Sequence, residues 1–155
     1  GFHKCFRTDG STVELAFDDL GSGISEPCYV VNYGTSLYVV KSSSATVRKL
    51  YRYNGTSLEQ ISNTTENQNS DDNPTLLGYF NNEVYFSATN SDGFMKLYKY
   101  DGTKTIQVTD IFPAGNDNPD SLTQVGAYIY FAAQKATGVR KIYRLCDKAN
   151  PSCLD

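Results

Sequence analysis

Hydrophobic and polar residues alternate with a period of two along much of this chain, which is the pattern of β-strands with one covered face. Residues 96–100 alternate apolar and basic side chains in this way, so their basic side chains are expected in solvent. Residues 83–88 are rich in β-branched and aromatic side chains, which favours a buried strand. No stretch keeps apolar residues at i, i+3, i+4 and i+7. We therefore predict an all-β chain with few helices.

Turn-forming residues separate these strands at short intervals. Asn81 and Asn82 stand before residues 83–88, and Asp101 and Gly102 follow residues 96–100. Asn81-Asn82 predicts a turn. Asp101-Gly102 predicts a tight hairpin, because glycine tolerates a positive φ and aspartate accepts hydrogen bonds from the nearby backbone. The middle of the chain thus predicts four antiparallel strands, at residues 74–79, 83–88, 96–100 and 105–109.

This four-strand pattern repeats. Residues 96–103, KLYKYDGT, are a near copy of residues 49–56, KLYRYNGT, with weaker copies at 4–10 and 141–144. Landmarks recur 45 to 47 positions apart: Lys4, Lys49, Lys96 and Lys141; Pro27, Pro74 and Pro119; Tyr38, Tyr85 and Tyr130. Such a period is expected for four short strands per unit. We assign residues 1–155 to a single β-repeat domain with units at about 4–48, 49–95 and 96–140 and a partial unit at 141–155.

The repeated pattern resembles extracellular β-propeller repeats with the signature Glu-Leu-Trp-x-x-Asp-Gly-Thr, which are distantly similar to kelch-type blades. Residues 96–98 stand in place of Glu-Leu-Trp, whereas residues 101–103, the turn at 110–115 and residues 130–133 match the pattern. The resemblance covers nearly the whole chain. It implies a β-propeller-like array of four-stranded antiparallel blades, and it implies no particular activity because that family has none in common.

The number of strands is unusual, because propellers usually close with four to eight blades. By strand role, residues 27–61 form one blade, residues 74–109 a second, and residues 119–146 the first three strands of a third. Residues 4–17 carry only the last two strand types. Residues 13–17 could therefore supply the missing outer strand and close a ring of three blades. Alternatively, the N-terminal strands pair with a neighbouring molecule along an open sheet edge.

Composition limits the partners of this chain. Its 155 residues, 39% hydrophobic and 20% charged, suit one globular domain. No apolar run approaches the roughly 20 residues that span a bilayer, and a net charge of −3 offers no basic face. Neither membrane insertion nor nucleic-acid binding is therefore expected. A chain that starts at Gly1 is typical of a processed mature end.

Four cysteines lie towards the two ends of the chain: Cys5, Cys28, Cys146 and Cys153. A zinc site would favour C-x-x-C spacings or more histidine than the single His3, so disulfides are the preferred interpretation. One pairing joins Cys146 to Cys153 across the turn at 150–152 and Cys5 to Cys28. Joining Cys5 to Cys146 would instead tie the ends together, and four cysteines allow three connectivities.

Two N-glycosylation sequons begin at Asn54 and Asn63. Together with an even number of cysteines they predict a secreted or cell-surface protein with disulfide bonds and glycans. Asn54 also has a turn-forming counterpart, Asp101, one unit later. A turn role therefore explains Asn54 without any sugar.

Candidate catalytic residues are few. A Ser or Cys nucleophile needs a base, and the only histidine, His3, lies beside Cys5 close to the start of the chain. The acid pairs Asp18-Asp19 and Asp71-Asp72 are typical of solvated turns in polar loops. We predict that the protein is not an enzyme.

The loop at residues 110–120 concentrates carboxylate and amide oxygens, and residues 70–74 occupy the equivalent place one unit earlier. Calcium takes six to eight such ligands, so Asp110, Asp117 and Asp120 are weak calcium candidates. The EF-hand spacing is missing, and Asn and Asp also build turns. No other cofactor is expected.

Twelve tyrosines and eight phenylalanines, without tryptophan, are the remaining unusual feature. Two sets keep the repeat spacing and are predicted to pack between units: Tyr38, Tyr85 and Tyr130; Tyr51, Tyr98 and Tyr143. Tyr53 and Tyr100 lie on the same strand faces as the second set and could place their hydroxyls at a rim. Aromatic rims stack on sugar rings.

The leading hypothesis is a non-enzymatic, secreted or cell-surface structural or adhesive module. It would self-assemble into an oligomer or filament through open strand edges. The alternative is a carbohydrate-binding propeller lectin that recognises glycans. A hydrolase lobe using the acidic loops is a third hypothesis.

Overall fold

A computed structural model describes residues 5–17, 29–44 and 46–146. These residues form antiparallel β-strands and no helix, as predicted. The strands are β1 (Cys5–Thr8), β2 (Val13–Phe17), β3 (Tyr29–Tyr33), β4 (Ser36–Ser42), β5 (Arg48–Tyr53), β6 (Leu58–Gln60), β7 (Thr75–Phe80), β8 (Glu83–Thr89), β9 (Met95–Tyr100), β10 (Thr105–Gln107), β11 (Asp120–Val125), β12 (Tyr128–Ala136) and β13 (Val139–Cys146).

The strands form four separate antiparallel sheets in which neighbours in the chain are neighbours in the sheet. Strands β1 and β2 form the N-terminal hairpin, β3 to β6 form sheet 1, β7 to β10 form sheet 2, and β11 to β13 form sheet 3. The predicted four-strand unit is therefore confirmed in sheets 1 and 2. Sheet 3 has three strands, as the strand roles predicted.

Local turn chemistry explains where these strands end. Asn81 and Asn82 have φ angles of 53° and 63°, the left-handed conformation that a two-residue hairpin needs between β7 and β8. At the next hairpin, Asp101 Oδ1 accepts hydrogen bonds from the backbone N–H groups of Thr103 and Lys104, both at 2.9 Å. The Thr103 hydroxyl donates to the same oxygen at 2.6 Å. These bonds lower the pKa of Asp101 to about 2, led by the Thr103 hydroxyl.

The turn at Asp101 should make stability depend on pH in the acid range. Because the pKa of the folded state lies below the ordinary value of 3.8, the ionised carboxylate contributes stability that is lost as pH falls towards about 2. Asn54 already makes the equivalent turn with an uncharged oxygen, which accepts from the N–H groups of Thr56 and Ser57. We expect Asp101→Asn to preserve stability at neutral pH and to flatten its fall in acid. Urea unfolding at several pH values measures this, and an unchanged acid slope would contradict it.

The three larger sheets pack face to face in chain order. We call the face that meets the following sheet the forward face; it carries Tyr38 and Leu50 in sheet 1 and Tyr85 and Leu97 in sheet 2. The opposite, rear face of sheet 2 packs on the forward face of sheet 1. The rear face of sheet 3 packs in the same way on the forward face of sheet 2.

Two apolar clusters result, one at each sheet junction. The junction of sheets 1 and 2 includes Phe86 and Tyr98 and a stacked pair, Tyr33 and Tyr79, with ring centroids 5.5 Å apart. The junction of sheets 2 and 3 includes Phe131 and Ile129. Sheet 2 is covered on both faces, which is why its inner strand β8 is buried nearly throughout.

The N-terminal strands do not complete sheet 3. In the described residues β2 pairs with β1, and β13 pairs with β12. The hairpin closes locally because Asp9 Oδ1 accepts from the N–H groups of Ser11 and Thr12, both at 2.8 Å. A short loop costs little entropy to close. Closure of a three-bladed ring by residues 13–17 is therefore not adopted, and the described sheets do not form a closed ring.

Candidate functional site: the sheet junctions and the incomplete ends

A buried ion pair lies in the loop that leads from sheet 1 to sheet 2. The side chains of Lys49 and Asp72 are fully buried, with Nζ 2.8 Å from Oδ1. The same Nζ donates to Asn63 Oδ1 at 3.2 Å and to the carbonyl of Asn67 at 3.1 Å. The three N–H donors of this ammonium therefore have three acceptors in the protein.

The next junction repeats this arrangement. Lys96 Nζ donates to Asp110 Oδ1 at 2.8 Å, to the carbonyl of Phe112 at 2.8 Å and to Asp117 Oδ1 at 3.1 Å. The side chains of Lys96 and Asp117 are again fully buried. Burying an ammonium without such partners would cost several kcal/mol. The repeated lysine therefore requires the oxygen-rich loop that follows it.

The aspartates of these pairs also join neighbouring sheets through their backbone. Asp72 donates its N–H to Arg48 O and accepts from the N–H of Thr89, which links β5 to β8. Asp117 does the same between Met95 and Gln134, which links β9 to β12. Each buried pair therefore lies at the point where one sheet is tied to the next.

The prediction of a solvated basic face on residues 96–100 is wrong for Lys96, which is fully buried. Alternation along a strand indicates which side chains share a face, but it does not reveal that a loop 21 positions later supplies a carboxylate. The sequence signal for the buried ion pair lies in the repeat. A Lys and an Asp-Asn-Pro triplet recur together at Lys49 with residues 72–74 and at Lys96 with residues 117–119.

The calcium candidates lie against cationic side chains of the protein itself. Asp110 and Asp117 both bind Lys96, and Asp120 Oδ2 accepts from Arg140 at 2.7 Å. The described part of the chain contains no group of three or more His, Cys, Asp or Glu side chains arranged to hold a metal. At this loop the positive charge that balances the carboxylates is an ammonium.

Asp71 and Asp72, predicted as a solvated pair, have different surroundings. Asp71 accepts from Arg48 Nη2 at 2.7 Å and remains partly exposed. Partial burial alone would raise the pKa of Asp71, but hydrogen bonds from Arg48 and Asn73 outweigh it and lower that pKa. The solvated interpretation is wrong for Asp72, which is fully buried on Lys49.

A polar groove of about 410 Å³ lies between the loops of sheets 1 and 2. Its lining includes Asn63, Glu66, Asn90, Tyr98 and Gln107. The Tyr98 hydroxyl donates to Gln107 Oε1 at 3.1 Å. Burial, followed by the nearby acids, raises the pKa of Tyr98, so this hydroxyl stays a neutral donor. The groove offers amide, hydroxyl and carboxylate groups beside one aromatic ring.

The repeated tyrosines of sheets 1 and 2 are buried, as predicted: Tyr38, Tyr51, Tyr85 and Tyr98. Tyr130 and Tyr143 of sheet 3 are half-buried. The prediction of an aromatic rim is wrong for Tyr100, which is buried and donates its hydroxyl to Gly102 O at 2.9 Å. Tyr53, half-buried, makes the same bond to Gly55 O.

Both sequon asparagines are exposed. Asn54 lies in the hairpin between β5 and β6, and its Oδ1 accepts from the Thr56 hydroxyl at 2.9 Å. The Thr65 hydroxyl of the second sequon donates to Asp72 Oδ1 at 2.9 Å and so belongs to the buried junction. Their glycosylation stays a prediction.

Several predicted positions carry no structural account. Cys5 begins β1 and Cys146 ends β13. Cys28, Cys153, His3 and the pair Asp18-Asp19 lie outside the described residues. The disulfide pairing therefore stays a prediction.

The two ends of the stack are incomplete. Within the described residues, which end at 146, sheet 3 has no fourth strand beside β13, the place taken by β6 in sheet 1 and β10 in sheet 2. Lys141, the counterpart of Lys49 and Lys96, is exposed. The N-terminal hairpin holds two strands at the positions equivalent to β5 and β6. As far as the structure describes the chain, the last sheet is without the outer strand and the first hairpin has the last two strand types alone.

No helix in the described residues is long and apolar enough to cross a membrane. The chain matches no protein-family model, no curated protein and no solved structure.

Proposed function

We propose that this chain is a non-enzymatic structural or adhesive β-repeat module that self-associates through its incomplete ends. The proposal includes a secreted or cell-surface location, supported by the even number of cysteines and the two exposed sequon asparagines. It also includes a propeller-like arrangement of blades. The successive four-stranded meanders and their face-to-face packing support that arrangement.

One observation carries the proposal: sheet 3 has three strands where sheets 1 and 2 have four. Its last strand, β13, is eight residues long and leaves one row of backbone N–H and C=O groups unpaired in the described structure. An open edge of this length is a template for a strand from another molecule. Complementary ends of one chain generate a heterologous contact, which repeats into oligomers or filaments.

The proposal is tested by the mass of the native protein in solution. Analytical ultracentrifugation of the intact chain over a wide range of concentrations is expected to show oligomers that grow with concentration. A single monomeric species at the highest concentration would overturn self-association. This measurement requires no knowledge of a ligand.

Carbohydrate binding is a second candidate function, favoured by the groove that contains Tyr98 and Asn90. Sugar sites combine an aromatic ring with amide and carboxylate groups that hydrogen-bond to hydroxyls. The groove has the amide and carboxylate groups, whereas the Tyr98 ring that borders it is 5% exposed and its hydroxyl is bonded to Gln107. A monomeric protein that binds an immobilised glycan panel, and loses binding on Asn90→Ala, would favour this function over self-assembly.

A further inference from the structure

Sheet 3 exposes a face that the other two sheets bury. By repeat position, Ile142 of sheet 3 corresponds to Leu50 and Leu97, both 0% exposed beneath the following sheet. Ile142 is 78% exposed. Val125, on the same forward face through its register with Tyr128, is 60% exposed. This forward face is therefore uncovered, with the apolar Ile142 exposed between Arg140 and Arg144.

The N-terminal hairpin exposes a rear face. Phe6 corresponds by repeat position to Tyr51 and Tyr98, which lie on rear faces and are 9% and 5% exposed. Phe6 itself is 63% exposed, and its cross-strand partner is Leu15. Val13 lies two positions from Leu15, on the same face as Phe6, and is 73% exposed. Rear faces in this fold pack on forward faces.

The other side of the hairpin is polar. Arg7 Nε donates to Glu14 Oε1 at 3.0 Å across the two strands. Glu14 is the main cause that raises the pKa of Arg7, and Tyr53 of β5 adds to it. The side chains of Arg7 and Glu14 are 58% and 59% exposed, so this polar side also lies in solvent and the apolar side is the one with surface to bury.

Within the proposed self-association, we infer that the main contact is a stack of faces: the Phe6 face of one copy covers the Ile142 face of sheet 3 in a second copy. The two faces are not paired within one chain, because both are exposed. The same kind of contact already occurs at both internal sheet junctions. The second copy therefore continues the stack.

Stacking accounts for these exposed residues better than strand addition does. Placing the hairpin in the plane of sheet 3, along β13, would satisfy backbone groups and leave Phe6, Val13 and Ile142 in water. Stacking removes those apolar side chains from water, which is the dominant favourable term in association. This inference rests on the proposed self-association, but it assigns the main contact to the two faces and not to the open edge of β13.

Single lysine substitutions on the two faces test the inference. Both Ile142 and Phe6 are exposed, so Ile142→Lys and Phe6→Lys are expected to fold, which circular dichroism checks. Each should raise the dissociation constant of the full chain by at least about tenfold, the effect of losing one buried apolar anchor. Val139→Lys is the matched control, since Val139 is also exposed on β13 but lies at the end of the strand beside the turn. Val139→Lys should change the dissociation constant by less than about twofold.

Mixing the two variants gives the sharpest result. Ile142→Lys retains an intact hairpin, and Phe6→Lys retains an intact sheet 3 face, so an equimolar mixture should form dimers that cannot grow. Recovery of dimers without longer species supports the head-to-tail stack. If the intact protein associates and neither variant weakens it, the face contact is wrong and self-association stands. If the intact protein is monomeric, self-association itself fails.

Discussion

Lys96→Met is expected to destabilise the protein by about 3–5 kcal/mol, the usual cost of removing one partner from a buried ion pair. Methionine occupies similar space, so the loss comes from charge and hydrogen bonds. The substitution leaves the fully buried carboxylate of Asp117 without the ammonium 3.1 Å away. It also removes the donor to the carbonyl of Phe112. Chemical denaturation at neutral pH, below the concentration at which oligomers form, measures the change.

The chain contains its own control for this variant. Lys141 occupies the same repeat position in sheet 3 but is exposed, so Lys141→Met should change stability by less than about 0.5 kcal/mol. Adding Asp117→Asn to Lys96→Met removes the unpaired carboxylate charge, so this double variant should recover part of the lost stability. Equal small effects of Lys96→Met and Lys141→Met would contradict a structural role for the buried lysine.

Deleting residues 1–20 is expected to abolish self-association and to leave a less stable monomer. The deletion removes the hairpin, and with it both the spare strands and the exposed Phe6 face. Val39 and Tyr51 on the rear face of sheet 1 are buried in the intact chain, and the deletion removes chain that precedes this sheet, so part of their cover is expected to be lost. The dissociation constant should rise by more than about 100-fold, because the whole contact is lost.

Sedimentation velocity and thermal unfolding together check the deletion. Free thiols are blocked in both proteins, because the deletion removes Cys5 and can leave a partner thiol unpaired. Arg7→Ala is the control: it breaks an exposed ion pair worth roughly 0–1 kcal/mol and keeps the hairpin. If the deleted chain still forms oligomers, the hairpin does not make the contact.

The secondary structure follows closely from local sequence. β-Branched and aromatic content placed β8, and period-two patterning placed β9, within a residue of their observed bounds. Asn81-Asn82 and Asp101-Gly102 marked the two turns that flank them. The internal repeat then extended the prediction to the three strands of sheet 3. These features are local because turn geometry depends on a few adjacent residues.

The burial of charged side chains could not be predicted from local sequence patterns. Lys96 and Lys99 look alike in the strand pattern, yet Lys96 is fully buried and Lys99 forms a partly exposed pair with Glu83 at 2.6 Å. Only the tertiary structure places Asp110 and Asp117 on the Lys96 ammonium. The cost of burying a charge depends on what surrounds it, and those groups come from distant positions in the chain.

The sequence by itself determined an all-β chain, its repeat period, its strand positions and the three strands described in sheet 3. The tertiary structure decided that the hairpin stands apart from sheet 3 and that sheets pack forward face to rear face. It also decided which equivalent positions are covered: Leu50 and Leu97 are buried, whereas Ile142 is exposed. The three residues occupy the same place in the motif, and they differ because burial depends on whether another sheet lies above.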